Sequence, residues 1–230
     1  MVPDIPSVRD RLWLLAHDET RDLEPHIDVR ALEIGLTGAT LTDLLLQDAI
    51  HIQQGQLYLT GRHVRATSDP VAAAVLHIIG DGQSRTPPDP KQAPRLIDVL
   101  RDPSLRMYAR TQGMLIAAGV LVEQRRRMRG TTHHLDPANT NQWLRSQFNR
   151  RLLNTDDPDA TLDCLCAMVG ALNLHSALVL PYDTDEADAI LRAVIQSIPK
   201  RAGRGSALAF IPKLAAQVRH AVGDLATAAF

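Results

Sequence analysis

The chain has 230 residues and a formal net charge of −1, with 45% hydrophobic but only 3% aromatic residues. These values are typical of a globular protein with an aliphatic core, and they exclude a disordered or fibrous chain. The balanced charge provides no general attraction to nucleic acid or anionic membranes, so any such binding requires a local patch. No apolar run is long enough to span a bilayer and the N-terminus lacks a signal-peptide pattern, so we expect a cytoplasmic protein.

The first predicted elements are two helices separated by a polar loop. Ser7 is a predicted N-cap of the first helix, and residues 17–28 are predicted to form the loop. Apolar residues between 29 and 47 are spread around most of the helical turn, which predicts a second helix buried on most sides. Within it, Gly35 and Gly38 form a groove where another helix can approach closely.

The middle of the chain mixes short hairpins with helices. Apolar and polar residues alternate between 50 and 59 around Gly55, which predicts a hairpin. A helix begins at Pro70, and the Gly- and Pro-rich stretch at about 80–93 is predicted to be a mobile loop. A helix at 105–118 is followed by a second, projecting hairpin at about 120–136.

The C-terminal part is predicted to be helical throughout. An amphipathic helix at 139–153 precedes a second buried helix at 159–180, which is apolar over most of its length. A further amphipathic helix at 185–198 is predicted to end at Pro199, and a helix at 207–229 closes the chain. The predicted fold is mainly α, a helical bundle around buried central helices with peripheral amphipathic helices and one or two short β-hairpins, in one domain over 1–230.

The sequence contains no recognisable catalytic or metal-binding motif, so we predict a non-enzyme without a cofactor or metal. Cys164 and Cys166 lie in an apolar run, where burial makes thiols unreactive, and they are interpreted as reduced core residues. His133 and His134 are neighbours in a predicted strand and therefore face opposite ways, which favours solvated histidines over metal ligands.

The strongest local charge feature is the arginine run at the predicted hairpin tip, formed by Arg125, Arg126, Arg127 and Arg129. A solvated tip, an anionic partner and a contact between subunits all account for it.

Four stretches together resemble the Golgi phosphoprotein 3 family, including its bacterial members. They are RLWLLAHDE near the start, GLTGATLTDLLLQDAIHI in the first buried helix and hairpin, LIAAGVLVEQ before the second hairpin, and DPDATLDCLCAMVGALNL in the C-terminal third. Their order and spacing carry the resemblance, which spans residues 7–228.

The resemblance implies a helical domain with a hydrophobic central bundle and a projecting hairpin used in self-association. Eukaryotic members of the family bind phosphatidylinositol 4-phosphate through a loop tryptophan and arginines, and they hold glycosyltransferase tails. In this chain Thr37 occupies the position of one family arginine, and Asp28 falls near the position of the tryptophan. Arg106 and Arg110 correspond approximately to the family arginines on the helix before Gly-Val-Leu.

Three functions follow as hypotheses. The first is a peripheral membrane adaptor that binds an anionic phospholipid or phosphoinositide headgroup at Arg30, Thr37, Arg106 and Arg110, on the inner membrane face, with membrane-enzyme tails as further partners. The second is a homo-oligomeric scaffold that associates through the hairpin and binds no lipid. The third is a winged-helix DNA binder, which the low overall charge makes the least favoured.

Overall fold

The computed structural model describes residues 7–60, 67–81, 93–126, 130–136, 141–153, 159–176, 184–203 and 206–228. Over these ranges the chain forms nine α-helices and three two-stranded antiparallel sheets, which confirms the predicted mainly α class. Most of the loop predicted at about 80–93 lies outside the described residues. No helix within these ranges combines the length and apolar character needed to cross a membrane.

The helices and strands have the following bounds. The α-helices are α1 (Val8–Leu15), α2 (Val29–Leu46), α3 (Pro70–Asp81), α4 (Leu96–Leu100), α5 (Met107–Ala117), α6 (Asn141–Leu153), α7 (Ala160–Ala171), α8 (Thr184–Ala202) and α9 (Ile211–Ala228). The strands are β1 (His17–Asp18), β2 (Glu24–Pro25), β3 (Ile50–Gln53), β4 (Gln56–Leu59), β5 (Leu121–Arg126) and β6 (Gly130–Leu135). Short 3-10 helices cover Pro103–Leu105, Leu174–Ser176 and Ala207–Phe210.

Helix α2 lies at the centre of the fold, as its apolar pattern predicts. Asp28 caps its N-terminus by accepting hydrogen bonds from the N–H groups of Arg30 and Ala31. Most of its side chains are buried, and it packs against α1, α5, α7 and α9. A helix enclosed on so many sides has no wetted face, which explains why its apolar residues show no single stripe.

Helix α7 is the second central helix, but it is shorter than the predicted span of 159–180. It begins after the cap Asp159, whose side chain accepts a hydrogen bond from the N–H of Leu162. Nearly every residue from Leu162 onwards is buried. The helix ends at Ala171 because Asn173 adopts a left-handed conformation, with φ of 56°, which a continuing α-helix does not allow.

Helix α8 continues through Pro199, so the predicted end at Ile198 is wrong. Proline removes one N–H group from the helix, which disfavours a proline in the helix interior. The last turn nevertheless forms, and its Arg201 belongs to a buried ion-pair cluster. Arg201 lies 2.8 Å from one carboxylate oxygen of Asp163, and Arg151 of α6 lies 2.6 Å from the other. The cluster joins α6, α7 and α8, and α8 ends before Gly203, where φ is 76°.

The three sheets are all local antiparallel pairs. Strands β3 and β4 form the first predicted hairpin, and β5 pairs with β6 from Leu121 to Leu135 in the second. The pair β1–β2, in which His17 is opposite Pro25, lies in the stretch predicted to be a loop. It was missed because two-residue strands with polar side chains carry no alternation signal.

The start of helix α1 is bound to α2 through a carboxylate near the end of α2. Asp43 accepts hydrogen bonds from the N–H groups of Val8 and Arg9, at 2.9 and 3.2 Å. Burial raises the pKa of Asp43 from its ordinary 3.8 to about 6, although the two N–H groups and the Arg9 charge favour the ionised form. Ser7, the predicted N-cap, accepts a hydrogen bond from the N–H of Asp10.

The raised pKa of Asp43 predicts a specific pH dependence of stability. The native state holds the Asp43 proton more tightly than the unfolded state, so this contribution is complete below pH 3.8 and is lost as the pH rises through 6. We therefore expect the wild type to lose unfolding free energy between pH 4 and 6 relative to Asp43→Asn, which cannot titrate. Urea unfolding followed by circular dichroism at several pH values measures this difference, and a constant difference would contradict the assignment.

Candidate functional site

A pocket of about 360 Å³ lies between the first turns of α2, the segment that joins α4 to α5, and the end of α9. We call it the α2–α5 pocket. Three of the four predicted headgroup residues line it, namely Arg30, Thr37 and Arg106. The structure therefore brings together side chains that are 76 residues apart in sequence (from Arg30 to Arg106).

The turn between α4 and α5 places Arg106 at the pocket. Asp102 accepts a hydrogen bond from the N–H of Ser104 and starts the short 3-10 helix at Pro103. Leu105 and Met107 on either side are buried. Arg106 between them is exposed and left-handed, with φ of 44° and ψ of 48°. A non-glycine residue rarely adopts this conformation, because its Cβ crowds the backbone.

The start of α5 at Arg106 has no side-chain cap. Arg106 is the N-cap of α5, and its side chain makes no capping hydrogen bond. The first N–H groups of a helix have no partner within the helix, so an uncapped start carries partial positive charge. Met107, the first residue of α5, lines the pocket together with Arg106. The pocket therefore combines a guanidinium group with a helix N-terminus.

A buried aromatic cluster fixes the start of α5 on α1. The hydroxyl of Tyr108 lies 3.0 Å from Nε2 of His17, and Nδ1 of His17 lies 2.5 Å from the carbonyl oxygen of Trp13. The His17 ring stacks on the Trp13 ring with centroids 3.7 Å apart. Burial lowers the pKa of His17 to about 4, so the imidazole is neutral at pH 7. Only the neutral imidazole has a free lone pair on Nε2 that can accept a hydrogen bond from the hydroxyl of Tyr108.

Arg30 and its neighbours form the opposite wall of the pocket. Arg30 is exposed in the first turn of α2, directly after Val29, whose exposed fraction of 40% is high for an apolar side chain. Asp28, which falls near the position of the family tryptophan, is the N-cap of this helix. Within the described part of the chain, neither Arg30 nor Arg106 has a carboxylate at ion-pair distance.

Thr37 and Arg110, the other two predicted headgroup residues, are placed differently from Arg30 and Arg106. Thr37 is buried, and its hydroxyl donates a hydrogen bond of 2.9 Å to the carbonyl oxygen of Glu33. It therefore forms part of the pocket wall, and its hydroxyl hydrogen is not available to a ligand. Arg110 is not among the residues that line the pocket. The predicted pairing of Arg106 with Arg110 on one helix face assumed that both lie within α5, whereas Arg106 precedes it.

The pocket contains further charged residues that the sequence did not suggest. Arg101 donates to Asp224 of α9, so its charge is neutralised locally. Glu33 and Asp102 add two carboxylates to the lining. The pocket thus presents two arginines that have no carboxylate partner among the described residues, beside hydrogen-bond acceptors. It suits a ligand that has both an anionic group and hydroxyl groups.

The hairpin arginines are only partly described. Arg125 and Arg126 end strand β5, and Arg127 and Arg129 lie outside the described residues. Self-association through this hairpin therefore stays a prediction. His133 lies 3.5 Å from Glu123 on the paired strand, and His134 lies 3.8 Å from Asp22. In the ranges that the structure describes, no group of histidine, cysteine and acidic residues could hold a metal ion.

Both cysteines are buried in α7 as free thiols. Burial raises the pKa of each thiol well above its ordinary value, since the charged thiolate loses its hydration. A thiolate is the reactive form of cysteine. The interpretation as structural core residues therefore agrees with the geometry.

Sequence reasoning missed the turn that builds the pocket, although part of the signal was present. Asp102-Pro103-Ser104 is a typical helix start, but nothing local indicates that Arg106 becomes left-handed. The pair Arg101–Asp224 joins residues 123 apart, and no spacing rule predicts such a contact.

Comparison with known protein families gives one match. A family model described as Golgi phosphoprotein 3 (GPP34) matches residues 8–225, which covers almost the whole chain. No curated protein shows a significant match to the chain.

Proposed function

The chain belongs to the Golgi phosphoprotein 3 family, and from this premise we propose that it is a non-enzymatic peripheral membrane adaptor that binds a phosphoinositide-like headgroup. The α2–α5 pocket is the proposed site. Arg106 is the residue that carries the proposal, because it lines the pocket and is also the N-cap of α5, where its side chain makes no capping hydrogen bond. Left-handed non-glycine residues are enriched at functional sites.

The proposed ligand follows from the charges in the pocket. A phosphate group is attracted by Arg30, Arg106 and the uncapped helix start. Glu33 and Asp102 can accept hydrogen bonds from the hydroxyl groups of an inositol ring, whereas they would repel a bare phosphate. The cavity of about 360 Å³ is at the lower end of the usual range for small-molecule sites. Val29 provides an apolar contact beside Arg30 for the lipid surface.

Vesicle binding tests the proposal. Vesicles that contain phosphatidylinositol 4-phosphate should pellet the protein, neutral phosphatidylcholine vesicles should not, and added salt should weaken the binding. The double variant Arg30→Gln/Arg106→Gln should require at least about tenfold more lipid for half-saturation, because two charge-assisted contacts are lost.

Arg110→Gln is the matched control, since it removes an exposed arginine that does not line the pocket. This variant should bind like the wild type. Equal pelleting with neutral vesicles, or equal binding by wild type and the Arg30/Arg106 double variant, would refute the proposed site.

A further inference from the structure

A second cavity of about 700 Å³ lies between the β3–β4 turn, the start of α4 and the first turns of α9. We call it the α4–α9 cavity. Its apolar lining consists of Ile52, Leu96, Ile97, Phe210, Leu214 and Ala216. Ile52, Leu96 and Leu214 are buried, so part of the cavity floor belongs to the core.

Two cationic side chains line the same cavity. Arg95 precedes α4 and Lys213 lies in the first turn of α9, and both are exposed. None of the described residues that line the cavity is acidic. Asp98 of α4, three residues after Arg95, is not among them. Within the described ranges neither cation has a carboxylate at ion-pair distance, and Lys213 lies 5.9 Å from the centre of the Phe210 ring.

The backbone around Arg95 is already held in place. The N–H of Leu57 donates to the carbonyl oxygen of Pro94 at 3.0 Å, and the N–H of Leu96 donates to that of Gly55 at 2.8 Å. Arg95 therefore runs beside strand β4 and pairs with Gln56. At the tip of the turn Gly55 has φ of 78°, a conformation that favours glycine. A site formed before the ligand arrives costs less ordering when it binds.

We propose that the α4–α9 cavity binds a single-chain amphipathic anion. Arg95 and Lys213 bind its carboxylate or phosphate, and the hydrocarbon chain packs on the apolar lining formed by Leu96, Phe210 and Leu214. The charges and the apolar lining are complementary to such a ligand. Arg95 and Lys213 have no carboxylate partner among the described residues and lie beside an apolar surface, and a ligand with an anionic head and an apolar body satisfies both.

This cavity is separate from the α2–α5 pocket. Leu214 lines the first and Leu225 lines the second, and eleven residues of helix place them about 16 Å apart along α9. The two sites therefore require different variants, and each can fail without the other.

Calorimetric titration with simple amphiphiles tests the proposal. Decanoate and decyl phosphate carry the two candidate heads, decanol carries no charge and acetate carries no chain. We expect at least one of the two anionic amphiphiles to bind with one-to-one stoichiometry, at least about tenfold tighter than decanol or acetate. The tighter of the two identifies the head. Equal binding of decanol, or no binding of either anionic amphiphile, would overturn the proposal.

Three variants locate the binding. Arg95→Gln/Lys213→Met removes both charges and should weaken binding at least about tenfold. Gln217→Trp fills the cavity from an exposed position on α9 and should weaken binding without loss of charge. Lys200→Met removes an exposed lysine of α8 outside the cavity and is the control. Binding that survives in the Arg95/Lys213 variant but is lost in Arg30→Gln/Arg106→Gln would place the anion in the α2–α5 pocket and refute the inference.

Discussion

Replacement of Asp163 by leucine should lower the free energy of unfolding by about 3–5 kcal/mol, the usual cost of removing one partner from a buried ion pair. Asp163 of α7 and Arg151 of α6 are both buried, and Nε of Arg151 donates to the carboxylate at 2.7 Å. The variant keeps the Arg151 charge in the interior without this carboxylate. Urea unfolding followed by circular dichroism at pH 7 measures the loss.

An exposed pair on the same bundle provides the control. Asp188 and Arg192 lie 2.8 Å apart on α8, where Arg192 is exposed and Asp188 is half-buried, with 33% of its side-chain surface exposed. Asp188→Leu should change the unfolding free energy by no more than about 0.5 kcal/mol. Adding Arg151→Leu to Asp163→Leu should recover part of the loss, because the buried charge is then also removed. If Asp163→Leu costs no more than Asp188→Leu, the cluster does not stabilise the bundle as described.

Replacement of Gly38 by leucine should destabilise the protein by about 3 kcal/mol, at the upper end of the usual cost of overpacking. A Cβ atom on Gly38 would lie 2.5 Å from Cγ2 of Val218 on α9 and 3.3 Å from Sδ of Met168 on α7. The three helices meet at this point, so a larger residue must push α9 or α7 away. The same urea experiment measures the effect.

Gly113→Leu is the matched control for this prediction. Gly113 lies on the exposed side of α5, and a Cβ atom there would have no neighbour within 4 Å. Leucine has a higher helix propensity than glycine, so this variant should gain about 0.8 kcal/mol. Glycine-to-leucine substitution should therefore lower the free energy of unfolding at position 38 and raise it at position 113. A gain at Gly38 would contradict the close approach of α2 to α7 and α9.

The central part of the fold could be predicted because its signals are local. The apolar residues of α2 predict burial on most sides, and the small residues Gly35 and Gly38 predict a close helix approach. The structure confirms both: a Cβ atom on Gly35 would lie 2.4 Å from Cδ1 of Leu172, after the end of α7. Such features depend on the residues of one element and need no knowledge of its neighbours.

The site was predictable only in part, because its geometry depends on single backbone angles and distant contacts. Arg106 could be proposed from the family resemblance, together with Arg110, and Arg30 from its place at the edge of the central helix. The left-handed conformation of Arg106 lies between two buried residues, Leu105 and Met107, and no local sequence signal indicates it. The Asp43 cap of α1 likewise joins residues 35 apart in sequence. Propensity and periodicity carry no information about such contacts.

Cys164 and Cys166 have a practical consequence for studying the protein. Both lie within the central helix α7, and they are the only two cysteines in the sequence. An electrophile such as a maleimide reaches them only when α7 opens, because a buried protonated thiol does not react. Their alkylation rate therefore measures how often the middle of the bundle opens by local unfolding, and no cysteine has to be introduced into the chain for this purpose.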